Sequence, residues 1–226
     1  LFGYGVFGEL DLPRAALRDI AASITADGLP ELCPPARNTI TIPSFALYWL
    51  LALYENAQQS YCGEFVRELL PAAERMWRAF AERLGENGVA CFTAKRYWNF
   101  YEWVDGLDGG AFFRDDDIPQ TYDAILTALF ALASRSLGSL YKTEGYAEKS
   151  AECLRTAQMA EASFEKFYDS KSGLYASFIS ADGEKFGLHG YTQAVLAAAG
   201  IARERAEKAV AALMNPPKGM GECTFA

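Results

Sequence analysis

The sequence holds a single histidine, His189, among 226 residues. That excludes a metal site built from several imidazoles and any catalysis that needs two of them. Positive charge is short as well: 21 Lys and Arg stand against 29 Asp and Glu, a formal net charge of -8. Nothing here would attract a polyphosphate backbone, so nucleic acid is excluded as a partner. Long apolar runs are missing; the longest, Phe45 to Tyr54, falls short of the ~18 residues of a spanning helix, and no membrane segment is expected. No basic leader followed by an apolar stretch opens the chain, whose first residue is Leu1, so it reads as a mature or excised piece. The five cysteines, Cys33, Cys62, Cys91, Cys153 and Cys223, are odd in number and never at C-x-x-C spacing. Reduced, buried cysteines in a cytoplasmic protein are the expectation. No G-x-S-x-G, P-loop or H-E-x-x-H motif occurs, and no cysteine sits in a context that would activate it toward His189. No metal ion or cofactor is expected.

What is present is a globular composition, 51% hydrophobic and 22% charged, with a high aromatic share of 14%. No linker divides it, so residues 1–226 read as one unit, or as part of one. Helical spacing dominates. Between Glu64 and Leu84 the set Val66, Leu69, Leu70, Ala73, Met76, Trp77, Phe80 and Leu84 forms one stripe, with Pro71 predicting a kink or a fresh start. A second stripe predicts a helix from Pro119 to Tyr141, with Asp115, Asp116 and Asp117 set against its dipole. A third runs from Thr143, a candidate N-cap, to Tyr168. Pro13–Ala26, Ser44–Ser60, Tyr191–Ala199 and Ala202–Met214 complete an all-α set of helical hairpins joined by short breaks. Residues 174–187 depart from it: Leu174 to Ile179 and then Ala181-Asp182-Gly183 predict a small β-hairpin.

Three patterns bear on chemistry. Gly3-Tyr4-Gly5-Val6-Phe7-Gly8 matches G-x-G-x-x-G, with Asp27 where a ribose-binding acid would fall. It lacks the preceding strand and parallel sheet that give the motif its meaning, so it reads as a close helix approach. Asp115-Asp116-Asp117 reads as a solvated helix cap rather than a cation site. His189, at a helix entrance, reads as a hydrogen-bonded structural residue or as a pocket member. The third pattern is Lys95 to Asp105, which places Trp98, Trp103, Tyr97 and Tyr101 beside Asn99, Glu102 and Asp105. Pyranoses want this combination, because the C–H face packs on a ring while hydroxyls pair with carboxylates and amides. Aromatics that plug the end of a helical core would read the same way. Arg37, in the Cys33-Pro34-Pro35 loop, is either a substrate clamp or a surface charge.

In order along the chain, Asp27-Gly28-Leu29-Pro30-Glu31, Pro34-Pro35, Ile42-Pro43-Ser44-Phe45 with Trp49, Leu69-Leu70-Pro71 and Trp98-Asn99-Phe100-Tyr101-Glu102-Trp103 resemble the catalytic domain of bacterial α-L-rhamnosidases, glycoside hydrolase family 78. Gly173-Leu174-Tyr175 and His189-Gly190-Tyr191-Thr192-Gln193-Ala194 continue the resemblance. It implies an (α/α)6 toroid, of which this chain would supply roughly four of six hairpins, around a pocket for terminal rhamnose. It also implies inverting hydrolysis by a general acid and a general base. Trp103 matches the indole that lines the family's sugar pocket, and Glu102 stands where Asp is common.

The family's acid motif would precede Leu1 and its base motif would follow Ala226; neither occurs here, so the chain is expected to be inactive alone. Trp103, Trp98, Glu102, Asp105, Arg37 and His189 are the expected binding residues for a carbohydrate. Exposed helix faces of an open ring would favour self-association. Two other readings remain: a non-catalytic helical-repeat module that binds a peptide or helix, and another six-hairpin enzyme such as an unsaturated glucuronyl hydrolase.

Overall fold

A computed structural model describes residues 8–36, 39–109, 120–201 and 203–221. The first three helices are α1 (Asp11–Ala22), α2 (Pro43–Gln59) and α3 (Gly63–Ala81). Pro43 opens α2 at the position where its missing N–H costs nothing. α3 carries Glu64 in its first turn and buries Phe65, Val66, Leu69, Leu70, Ala73, Met76, Trp77 and Phe80, the predicted stripe as far as Phe80; Leu84, expected as its last member, lies past the end of the helix. Pro71 lies inside α3, which runs through it as one element, so no new helix starts there.

The polypeptide then forms β1 (Leu84–Gly85) and β2 (Gly88–Ala90), and later β3 (Thr121–Asp123), which leads directly into α4 (Ala124–Thr143). α4 is apolar on all sides, and 15 of its 20 residues are buried, as an all-round hydrophobic helix requires. Its length and composition would suffice to cross a membrane, but 83% of its most apolar window is packed inside the protein. α4 packs against α2, α3, α5 (Ala147–Ser163) and α6 (Gly190–Ala198). Gly138 lets α5 come close: a Cβ there would stand 3.3 Å from Cys153 Cβ and from the Ser150 carbonyl oxygen. After α5 come a 3-10 turn (Phe164–Phe167), β4 (Tyr168–Asp169), β5 (Leu174–Tyr175), β6 (Phe178–Ser180) and β7 (Lys185–Phe186). Past α6, a second 3-10 turn, Arg203–Arg205, precedes α7 (Ala206–Met214), which packs on α6.

The expectation of a helical domain with a small β-hairpin holds, and the β structure is more extensive than that hairpin. An antiparallel sheet in the order β1-β2-β3-β6-β7 caps one end of the helices, and β4 and β5 form a separate ribbon. The expected hairpin is real but narrower: Phe178 pairs with Phe186 and Ile179 with Lys185, whereas Leu174 and Tyr175 pair back onto Asp169 and Tyr168. The helix expected from Pro119 begins at Ala124, because Thr121, Tyr122 and Asp123 pair with Ser180, Ile179 and Phe178. Thr143 ends α4 instead of capping α5, its hydroxyl donating to the Ser139 carbonyl at 3.0 Å. The helix expected to reach Tyr168 stops at Ser163, where the 3-10 turn takes over. Among the described cysteines, Cys91 and Cys153 are buried as expected, Cys62 is half-buried and Cys33 is exposed. Asp115–Asp117 and most of the glycine motif at residues 3–8 lie outside the described residues.

Candidate functional site

α2, α4 and α6 begin at one end of the molecule, and the aromatic segment 96–107 is tied to all three starts. At α2, the Trp98 amide donates to the Thr41 carbonyl at 2.8 Å, and the Ser44 hydroxyl donates to the Phe100 carbonyl at 3.0 Å. At α4, Tyr101 donates its phenolic hydrogen to Asp123 Oδ2 at 2.5 Å. Before α6, His189 Nε2 donates to the Asp105 carbonyl at 3.1 Å. The segment closes on itself through a tight turn in which the Leu107 amide donates to the Val104 carbonyl, with Leu107 as its buried anchor. A segment pinned at three helix starts holds its side chains in fixed places.

Along it the expected site residues divide. Trp98 is 8% exposed, and its indole N–H donates to the Asp108 carbonyl at 2.7 Å. Phe100 packs against both indoles with tilted planes, its centroid 4.7 Å from each of Trp98 and Trp103. Trp103 completes the cluster and is 65% exposed. Glu102 is only 5% exposed and folds back so that its Oε1 accepts from the Trp103 amide at 2.7 Å. Asp105 is exposed in side chain while its carbonyl holds His189. Arg37 lies outside the described residues.

His189 is 6% exposed and acts as a fastening. Because Nε2 donates to a carbonyl, the ring carries its proton there, and Nδ1 accepts from the Ser177 hydroxyl at 2.7 Å. The Ser177 oxygen in turn accepts from Thr192 at 2.5 Å. Burial pushes the imidazole below its ordinary pKa, partly offset by the Asp105 backbone. The Gly221 backbone also pairs beside it, so loop 104–107, the connection between β5 and β6 that carries Ser177, α6 and the C-terminal segment meet at one ring.

Residues not singled out in the sequence complete the picture. Asp123 is fully buried, caps α4 by accepting from the Leu126 amide at 3.0 Å, and lies 3.8 Å from Cys91 Sγ. Burial pushes its carboxyl up to about 6 against the opposing pull of its hydrogen bonds from Tyr101 and the helix amides. Burial and the neighbouring Asp123 likewise push Tyr101 well above the ordinary phenol range. Tyr48 of α2 and Tyr191 of α6 share a hydrogen bond of 2.5 Å between their hydroxyls, and Tyr191 lies 6.4 Å from Tyr101 between centroids. An aspartate just ahead of an apolar helical stripe is a recognisable cap signal and could have marked Asp123. Nothing local marked Ser177 or Thr192.

On the other flank of the segment is a cavity of about 600 Å³, lined among others by Phe92, Asn99, Asp105, Phe178, Phe186 and His189. Trp98, Trp103 and Glu102 are not among its lining residues. Among the described residues no group of three or more His, Cys, Asp or Glu side chains is placed to hold a metal ion. The arrangement offers an exposed indole face backed by two rings on one side, and an aromatic-walled hollow on the other.

No protein-family model and no curated protein matches the chain. Solved structures do. A GH78 family rhamnosidase of Bacillus sp. GL1 matches with a TM-score of 0.84 and 20% identity, over 98% of this chain and 22% of that one. A rhamnosidase from Klebsiella oxytoca, determined with rhamnose bound, matches with a TM-score of 0.72 and 19% identity, over 95% of this chain and 39% of that one. An uncharacterized conserved protein from Thermus thermophilus follows at 0.62 and 17% identity, over 92% of this chain and 64% of that one. The chain thus spans well under half the length of either rhamnosidase. At these identities the likeness is one of fold, and the fold is one found within a GH78 rhamnosidase.

Proposed function

We propose that this chain is the sugar-holding part of a glycoside hydrolase domain of the α-L-rhamnosidase type. In this reading α2, α4 and α6 are inner helices of a six-hairpin ring, and Trp103 faces its hollow. One observation carries the reading: Trp103 keeps 65% of its surface in solvent although Phe100 and Trp98 fix its position from behind. A large apolar ring held rigid and open is what a C–H face of a pyranose stacks on. Glu102 sets the backbone that carries the indole, Trp98 supports it, and the Asp105 carboxylate stands two residues on to accept from sugar hydroxyls. No residue here is assigned the general acid or base; those roles fall to the flanking motifs of the family, as does cleavage itself. The test is a tryptophan fluorescence titration with L-rhamnose. Saturable quenching that disappears in Trp103→Ala supports the reading; an unchanged spectrum, or quenching that survives the substitution, defeats it.

A further inference from the structure

We propose that Tyr48 is a further sugar-binding residue: its hydroxyl, aimed by Tyr191, pairs with a ring hydroxyl of the monosaccharide whose C–H face stacks on Trp103. The inference rests on the sugar reading and adds to it a polar partner carried by a helix. Tyr48 lies in the second turn of α2 and Tyr191 in the first turn of α6, and both helices pack on α4. Their hydroxyls meet at 2.5 Å, so the pair bridges the two helices that flank α4. In the ring reading α3 and α5 back the inner helices, and a bridge from α2 to α6 crosses the hollow side.

The same pair sits against the segment that carries Trp103. Ser44, one turn before Tyr48 on the same face of α2, donates to the Phe100 carbonyl at 3.0 Å, and Phe100 packs on Trp103 with centroids 4.7 Å apart. Tyr101, the next residue, lies 6.4 Å from Tyr191 between centroids. The open indole and the hydroxyl pair are therefore held by neighbouring residues of one pinned stretch. Phe45 is 44% exposed and Tyr48 37%, so this face of α2 shows aromatic surface to solvent, as the wall of a sugar site does. The Tyr48 ring edges the apolar groove between α1 and α2, and its tip reaches across to α6.

A phenol oxygen can accept as well as donate, and among the described residues Tyr48 spends its hydroxyl on the one bond to Tyr191. Capacity is left for a sugar hydroxyl, which does both as well. Burial, followed by the bond to Tyr191, pushes the Tyr48 phenol far above its ordinary range, so the pair stays neutral. A neutral pair suits an uncharged sugar. The part of Tyr191 is to aim: with that partner the Tyr48 hydroxyl is held in one direction before the ligand arrives, which lowers the cost of ordering it on binding.

The experiment is a tryptophan fluorescence titration of wild type and variants with L-rhamnose and with analogues that each lack one ring hydroxyl. Wild type is expected to bind one of the analogues about tenfold more weakly than L-rhamnose, the equivalent of one hydrogen bond. Tyr48→Phe, which keeps the ring, is expected to bind L-rhamnose about tenfold more weakly and to lose the preference over that analogue. Tyr191→Phe, which leaves the Tyr48 hydroxyl in place but unaimed, is expected to weaken L-rhamnose about threefold and to keep the preference. A Tyr48→Phe protein that binds L-rhamnose as wild type does overturns the inference. So does one that weakens every sugar by the same factor, which would mark the tyrosine pair as a structural latch. Either result leaves the sugar reading standing, whereas no binding to wild type overturns that reading and this inference together.

Discussion

Tyr101 and Asp123, 22 positions apart in sequence, meet in a hydrogen bond of 2.5 Å with no access to water, and that bond ties the aromatic segment to the cap of α4. Removing the phenolic oxygen leaves a buried carboxylate oxygen without its donor. Tyr101→Phe is therefore expected to cost about 1–3 kcal/mol in urea unfolding and to raise the Asp123 carboxyl further. A change within a few tenths of a kcal/mol would mean that water or another donor replaces Tyr101.

The same carboxyl makes stability depend on pH with an unusual sign. Its folded pKa, about 6, lies above the ordinary 3.8, so between those values the folded state holds a proton that the unfolded chain releases. Stability contributed by this group is complete below about pH 4 and is lost as pH rises to about 6, a change of about 3 kcal/mol. Asp123→Asn keeps a cap acceptor and cannot titrate. The gap between wild type and variant, followed by denaturant unfolding at several pH values, is expected to shift toward the variant across that window. A constant gap would show that Asp123 titrates at its ordinary pKa.

His189 contributes with the opposite sign. Its folded pKa lies below 6.5 because burial disfavours the imidazolium, so the unfolded chain takes up a proton first as pH falls. Stability from this ring is present above the ordinary histidine range and declines as pH drops through it. Amide exchange at Gly190 and Gly221, whose backbones are bonded beside the ring, is expected to quicken as that happens. Exchange there that ignores pH, apart from its intrinsic dependence, would remove the ring from its role as a fastening.

Two glycines in the hairpin separate crowding from backbone strain. Gly183 and Gly187 both have positive φ, 89° and 71°. A Cβ on Gly183 meets nothing within 4 Å, while one on Gly187 would stand 2.9 Å from His189 Cε1. Gly183→Ala is expected to cost about 1 kcal/mol from conformation alone, and Gly187→Ala about 1–3 kcal/mol more for the overpacked contact. Equal losses would show that the ring yields freely.

The two indoles of the segment are expected to part company in the same assay. Trp98→Ala opens a hole under Phe100 and Gly109 and should cost about 3–5 kcal/mol, whereas Trp103→Ala should stay within about 1 kcal/mol. A large loss at Trp103 would mark it as a core residue and remove it from the sugar surface.

What the sequence shows and hides follows from how each element is held. α3 is legible because eight apolar side chains recur at helical spacing over 19 residues, a signal that neighbours cannot erase. The sheet is not legible: its strands are two or three residues long, too short for alternation to register. Tyr122 falls in phase with Ile125 and Leu126, so β3 reads as the first turn of the helix that follows it. The density of indoles at 98–103 marks the candidate surface, but not which ring is open and which is sealed, since that depends on Gly109 approaching Trp98 and on Asp108 taking its N–H. The relay of Ser177, His189 and Thr192 is set by tertiary placement and leaves no local signature. Asp123 is similar: a carboxylate ahead of a helix reads as solvated, and its burial arises from β2, β3 and the aromatic segment closing over it.

The chain has four tryptophans, and three have their indole N–H committed: Trp49 to the Leu17 carbonyl, Trp77 to the Ser134 hydroxyl and Trp98 to the Asp108 carbonyl. A nitrogen-15 correlation spectrum recorded during addition of L-rhamnose therefore separates the open ring from the closed ones. The account predicts that the Trp103 indole resonance moves saturably while those of Trp49 and Trp77 stay in place. A Trp103 resonance that stays fixed at saturating sugar would contradict it.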